Sequence, residues 1–405
     1  MTTRLPLDGI RVADFSWVGA GPFLTKPLAD HGADVVKIES RIRVDPIRSM
    51  APFQDGVAGL DRSGYFANRN SSKRSICLDL KDSRGRELAL RLIAASDVVV
   101  NNFSPGTMDR LGLGYGAARA VRPDVVYLEM PMMGTEGPYR DCRGYGLTIA
   151  AAGGLLGLTG YTAGPPVGTG TNYPDHVPNP LHGAVAVLAA LRKRRRTGQG
   201  EYIELAQLES TINAIGPAIV AAAAGHPTGP VGNVDPVATP HGVYPCVGDD
   251  TWCAIAVFDD RQWSAMCAVL TSVPWDDHPE LDTAGGRRKA QPLLDRLIAT
   301  ATGRWDAARL ATALTARGVA ASPVAHADDL LRDVQLHARA HWVTLDHPVM
   351  GPSVYDASPY RLSATPGHPR SPAPLLGADT RDVCTQLLGL TEQDYDELAQ
   401  QGVVG

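Results

Sequence analysis

Residues 10–39 read IRVADFSWVGAGPFLTKPLADHGADVVKIE. Residues 10–15 form a short apolar run, Gly19-Ala20-Gly21-Pro22 a tight turn, and residues 23–31 a helical pattern that Gly32 ends. Residues 34–39 form a second apolar run. Strand, glycine turn, helix and strand make a βαβ unit, which commits the chain to a parallel sheet. A glycine turn at the first crossover invites a dinucleotide, with Gly19 and Gly21 in the turn and Glu39 as the ribose acceptor. The fingerprint is incomplete. Leu24 stands where a third glycine belongs, and Pro22 removes a backbone donor that a pyrophosphate would use.

Outward from this unit the same alternation continues. Strand patterns at residues 75–80, 97–101 and 124–130 are separated by helical segments, the clearest at 83–95. This predicts an α/β fold, an open, doubly wound, mostly parallel sheet with helices on both faces. Ligands in such sheets bind beyond the carboxyl ends of the strands. The turns at 19–22, 80–81, 102–106 and 134–145 are therefore expected on one edge. A strand at 202–205 and one helix over 209–224 follow. The Gly/Pro-rich stretch 225–240 marks a boundary. We expect a large domain from residues 1–225, to which 346–405 return, and a smaller α/β domain at 226–345. The latter carries strands at 242–246 and 252–257, and helices from Asp260, at 287–301 and at 305–317. The tail 351–374 is Pro/Ser-rich, and a helix pair is expected at 380–388 and 391–400.

Composition excludes several classes. The 405 residues are 44% hydrophobic and 20% charged, with a net charge of -5 and a pI near 6.1. That balance argues against generic nucleic-acid or anionic-membrane binding. The N-terminal residues lack a signal-peptide core and no apolar run of about 18 residues exists, so a soluble, cytoplasmic protein is expected. Six scattered cysteines without a CxxC pair predict neither disulfides nor zinc. His337 and His341 share a helical pattern, but the glutamate of HExxH is absent, so no metal is expected. The run RKRRR at 192–196 is read as a solvated helix end.

One stretch carries a candidate nucleophile. Residues 173–200 read YPDHVPNPLHGAVAVLAALRKRRRTGQG. Asp175 sits in a Pro-rich turn. A helix follows, started by Pro178 and Pro180 and ended by the arginines and Gly198. Leu181, Ala184, Val185, Leu188, Ala189 and Leu191 are expected on its buried face. The helix N-terminus would favour the carboxylate form of Asp175. An ionised carboxylate in a small-residue turn can attack an activated acyl group, or simply cap the helix.

The sequence resembles the family III CoA-transferases over nearly its whole length. The resemblance is carried by DGIRVADFSWVGAGPFLTKPLADHGADVVKIES, NSSKRSICLDLKDSRGRELALRLIAASDVVVNNFSPGTMDRLGLGY, GPYRDCRGYG, the Asp175 stretch with RRRTGQGEYIELAQLES, and LLGADTRDV. It implies a homodimer of two interlinked ring-like chains. It implies transfer of CoA from an acyl-CoA donor to a small free carboxylic acid, with coenzyme A as substrate and no tightly bound cofactor. Asp175 matches the family's nucleophile, which forms an aspartyl-acyl anhydride. By the same matches Gly19, Ala20, Leu78, Asp79, Lys81, Asn102, Phe103, Arg110, Arg143 and Tyr145 belong around CoA. Arg41 joins them one position beyond the family's arginine, where Ser40 stands here. Gly19 and Gly146 replace a glutamine and a glutamate of formyl-CoA transferase, suggesting room for a larger acid, with Trp17, Tyr65 and Met130–Met133 along its pocket. Tyr145 replaces the histidine base of the family's racemase. A tyrosine with pKa near ~10 is a poor base at neutral pH, so racemisation or another acyl-CoA isomerisation is the second reading. A nicotinamide-dependent oxidoreductase is the alternative from another class.

Overall fold

Short strands rich in valine and isoleucine build the larger of two units. They are β1 (Arg11–Asp14), β2 (Asp34–Glu39), β3 (Arg74–Cys77), β4 (Val98–Asn101), β5 (Val126–Glu129) and β6 (Glu201–Glu204). All neighbours pair in parallel, in the order β3-β2-β1-β4-β5-β6. Both faces are covered, as a parallel sheet requires. On one face Ala13, Ile38, Ile76, Val99 and Tyr127 pack with Leu88 and Leu92; on the other Val12, Val35, Val100 and Leu128 pack with Leu24, Leu28 and Val187. The strand order reverses between β1 and β4, and a crevice opens there at the carboxyl ends. The sheet confirms the doubly wound reading.

The structure is a computed structural model that describes residues 4–405. The helices that matter to the crevice are α1 (Ala20–Asp30), α2 (Gly64–Arg69), α3 (Ser83–Ala94), α4 (Thr107–Arg110), α5 (Tyr115–Val121), α6 (Gly146–Ala152), α7 (Tyr173–His176) and α8 (Pro178–Thr197). α1 begins at Ala20, inside the glycine turn rather than after it. Gly21 is glycine because an added Cβ would fall 2.1 Å from the Ser16 Cβ.

The face that α8 buries differs from the expected one. Gly183, Val187 and Ala190 are buried, whereas Leu181, Val185 and Leu188 are 55%, 68% and 44% exposed. The reason is close approach: a Cβ on Gly183 would fall 2.2 Å from Leu24 Cδ1, so α8 meets α1 through its small residues. The single helix expected over 209–224 is two, α9 (Gln207–Asn213) and α10 (Gly216–Ala223), because Gly216 and Pro217 restart it.

The second unit comprises Leu158–Val167 and Gly229–Asp333. Its antiparallel sheet, β7 (His241–Pro245), β8 (Trp252–Ala256) and β9 (Ala320–Pro323), backs a core of Trp263, Met266, Leu294, Ile298, Leu310 and Leu314. The helix expected over 287–301 is interrupted at Ala290, ahead of Pro292. The first unit takes the chain back at Val334. There the helix holding His337 stops at Ala338 and excludes His341. A hairpin of β10 (Trp342–His347) and β11 (Gly351–Asp356) follows, partly within the stretch read as an irregular tail.

Candidate active site

Asp175 lies in α7, a single helical turn separated from α8 by the non-helical backbone of Val177. It is 5% exposed. Its Oδ2 accepts the backbone N–H of Gly146, at the start of α6, at 2.9 Å. Two glycines frame it. A Cβ on Gly19 would fall 2.8 Å from Asp175 Cβ, and one on Gly146 would fall 2.8 Å from Asp175 Oδ2. The glycine pair therefore clears space for the aspartate itself. Burial pushes the Asp175 carboxyl up to about 6, against the Gly146 N–H that lowers it. Desolvation thus outweighs the helix-end stabilisation expected from the sequence.

The turn before Gly19 is held under strain. Val18 has φ +63°, a left-handed conformation that a β-branched residue resists. Asn102 clamps the preceding residue. Its Oδ1 accepts the Trp17 N–H at 2.8 Å, and its Nδ2 donates to the Trp17 carbonyl at 2.7 Å. Asp45 Oδ1 accepts the Val18 N–H at 3.1 Å. Asp45 is in turn paired with Lys37 at 3.0 Å, and Lys37 Nζ donates to the Ser16 carbonyl at 2.7 Å. Beside them Lys73 pairs with Asp14 at 3.2 Å, and Thr25 donates to Asp14 at 2.6 Å. Burial pulls the Lys73 ammonium down to about 8, with Asp14 opposing. Burial also pulls on Lys37, but Asp45, Asp14 and Glu39 together hold it above its ordinary value. A fully buried ionic network thus fixes the turn that abuts Asp175.

Two connected cavities occupy the sheet edge. One, of about 410 Å³, takes Leu78, Asp79, Lys81, Phe103, Arg110 and Arg143 from the expected set. The other, of about 310 Å³, takes Gly19, Ala20, Asn102, Phe103, Arg143 and Tyr145, with Asp175 in its wall. Trp17, Arg43, Phe103, Ser104 and Arg143 line both. Arg41 lines neither; its Nε is bonded to the Gly405 carbonyl. Arg43 stands in the cavities, its guanidinium 5.2 Å from the Trp17 ring centroid. Sequence reasoning missed Arg43. The signal lay in Arg41-Ile42-Arg43, where a second cation follows two residues after the first. Among the other pocket candidates, Met132 lines the Asp175 cavity, Met130 is buried core, and Tyr65 lines a separate chamber with Gly146.

The ribose-acceptor reading of Glu39 fails. Arg48 grips both its oxygens, Nε to Oε1 at 2.8 Å and Nη2 to Oε2 at 2.7 Å, and Ser75 donates at 2.6 Å. Among the described residues no cluster of His, Cys, Asp and Glu could hold a metal ion, and no helix is long and apolar enough to cross a membrane.

Residues 7–380 match the model of CoA-transferase family III. The chain is 32% identical to a succinyl-CoA–D-citramalate CoA-transferase of Chloroflexus aurantiacus, over 98% of each. It is also 32% identical to a probable CoA-transferase of Mycobacterium tuberculosis, over 98% of this chain but only 50% of that protein's length. The crystal structure of a CAIB/BAIF family protein from Brucella suis superposes with a TM-score of 0.87 at 29% identity, covering 95% of this chain and all of that one.

Proposed function

The chain belongs to CoA-transferase family III, and from that premise we propose that it moves CoA from an acyl-CoA to a free carboxylic acid through an aspartyl-acyl anhydride on Asp175. The observation that carries this reading is the buried Asp175 carboxylate, which no cation among the described residues pairs, in the wall of a cleft that Lys81 and three arginines also line. Lys81, Arg43, Arg110 and Arg143 supply the charge that CoA phosphates need, and no carboxylate among the described residues forms an ion pair with them. Phe103 and Leu78 offer apolar surface alongside.

Asp175 Oδ2 is tied to Gly146, which leaves Oδ1 to attack the thioester carbonyl. The C–S bond breaks and CoA leaves as thiolate, an adequate leaving group because a thiol ionises near pKa ~8.5. The acceptor carboxylate attacks the aspartyl carbonyl carbon, Cγ of Asp175, and the bond from Cγ to the donor's carboxyl oxygen breaks. This frees the first acid and passes the acyl activation on, and the thiolate then closes the cycle on the new anhydride. Activation is conserved at each step, so no nucleotide is consumed. Water must stay out while the anhydride stands. Backbone N–H groups of the glycine turns serve as oxyanion donors.

A homodimer belongs to the same reading. Leu181, Val185 and Leu188 form an exposed apolar stripe along α8, and Ile219 and Val220 of α10 are 50% and 70% exposed. Such patches mark covered surfaces. The test of the mechanism is trapping. Incubation with a donor acyl-CoA and then hydroxylamine should convert Asp175 alone to a hydroxamate, read by peptide mass. Asp175→Asn should bind CoA while losing transfer by several orders of magnitude. Near-normal transfer in that variant, with no residue trapped, would refute the anhydride.

A further inference from the structure

A third chamber, of about 420 Å³, lies on the other side of Gly146 from the Asp175 cavity. Two adjacent pairs of residues divide the space. Tyr145 and Asp175 line the cleft, while Gly146 and His176, the next residue in each case, line the chamber. The chamber therefore begins one residue away from Asp175, with Gly146 between them.

The chamber has two kinds of wall. Leu147, Ala150 and Leu156 make one side apolar. Opposite, His176 links two hydroxyls: Nε2 lies 2.9 Å from Tyr65 Oη, and Nδ1 lies 2.9 Å from Thr171 Oγ1. Burial, helped by the Arg69 cation behind it, pulls the His176 pKa down to about 4, so the ring is neutral at pH 7. A neutral imidazole donates through one nitrogen and accepts through the other. Whichever tautomer holds, one of the two hydroxyls receives the ring proton and keeps its own to give away. The other donates into the ring and keeps a lone pair to receive, even where Asn172 bonds the Tyr65 hydroxyl. The chamber thus presents a donor and an acceptor without net charge. Among the described residues no Asp, Glu, Lys or Arg lines it. Arg69 is not in the lining; its guanidinium lies behind the wall, 4.3 Å from the Phe23 ring centroid and 5.8 Å from that of Tyr65, and donates to Asn68 at 2.8 Å.

We propose that this chamber binds the tail of the transferred acid, and that the Tyr65–His176–Thr171 chain selects a short, uncharged tail bearing a hydroxyl group. The inference rests on the transferase reading above and names its substrate class. A second carboxylate would be desolvated there with no cation in the lining to bond it, which is costly. A hydroxyl would meet both a donor and an acceptor, while an unsubstituted chain would leave them unpaired.

The test uses the purified full chain, a fixed acyl-CoA donor, and acetate, butyrate, 3-hydroxybutyrate and succinate as acceptors, with CoA thioesters quantified by mass spectrometry. In the wild type, 3-hydroxybutyrate should exceed butyrate in kcat/KM by about tenfold, the scale of one satisfied hydroxyl, and succinate should fall below butyrate. Tyr65→Phe and Thr171→Val should each bring the 3-hydroxybutyrate to butyrate ratio towards one. Thr169→Trp, which adds bulk to the wall, should lower the ratio of butyrate to acetate. A wild type that prefers succinate, or variants that transfer CoA with these ratios unmoved, would overturn the inference and leave the transferase reading standing. Transfer to none of the acids, with no hydroxamate on Asp175, would overturn both.

Discussion

Replacing Asp175 by asparagine should make the protein more stable at neutral pH, although it removes the proposed nucleophile. The folded state holds this carboxyl at about 6, against a reference value of 3.8. The shift is upward, so the native chain binds the proton more tightly than the unfolded chain does. Stability at this site is then full below about pH 4 and declines as pH rises towards 6. About two pKa units correspond to roughly 3 kcal/mol at pH 7 and above. Asparagine keeps the shape and an oxygen for the Gly146 N–H, but cannot ionise. Thermal melts of wild type and Asp175→Asn should coincide near pH 4 and diverge up to pH 7, the variant melting higher. The same ionisation should appear in catalysis: kcat/KM should fall tenfold per pH unit below about 6, because only the carboxylate attacks. Equal melting differences at pH 5 and pH 8, with a rate profile flat down to pH 4.5, would show that burial does not govern this group.

Other consequences can be measured as directly. Arg110→Ala, Arg143→Ala and Arg43→Ala should each raise the dissociation constant for CoA, with larger effects at low salt; unchanged affinity in all three, by titration calorimetry, would remove them from the phosphate site. Asp45→Asn weakens the anchor of the left-handed Val18, and should lower kcat about tenfold while CoA still binds. Adding Val18→Gly, which adopts that backbone freely, should recover most of the loss, and failure of the rescue would separate the strained turn from catalysis. If the proposed dimer forms through α8, Leu181→Glu with Val185→Glu should lower the mass seen by light scattering, whereas an unaltered dimer mass would place the interface elsewhere.

The βαβ opening was legible because valine-rich runs and glycine turns are local signals. The register of α8 was not. Its leucines suggested the buried face, but packing was decided by the contact between Gly183 and Leu24, more than 150 residues earlier in the chain. The substitution of Gly19 and Gly146 suggested empty space for the same reason, since only the fold reveals that Asp175 fills it. Arg41 and Arg43 could not be ranked from sequence, because which one faces the cleft depends on the carbonyl of Gly405. The ionisation of Asp175 differs in degree from the expected one: a helix start is visible in the sequence, but burial by residues distant in the chain, such as Gly19 and Gly146, is not.

Residues 403–405 have a consequence for synthesis. Val403 accepts the Asp79 N–H at 2.9 Å, Val404 bridges Leu78, and Arg41 meets Gly405 across 364 positions. Leu78 and Asp79 are the wall against which CoA would lie. A nascent chain can complete the inserted second unit, whose contacts fall within residues 158–333, long before that wall has its backing. Asp175, the proposed nucleophile, is therefore translated well before that wall is complete. A ribosome-bound or truncated chain would carry Asp175 without a finished seat for the thioester.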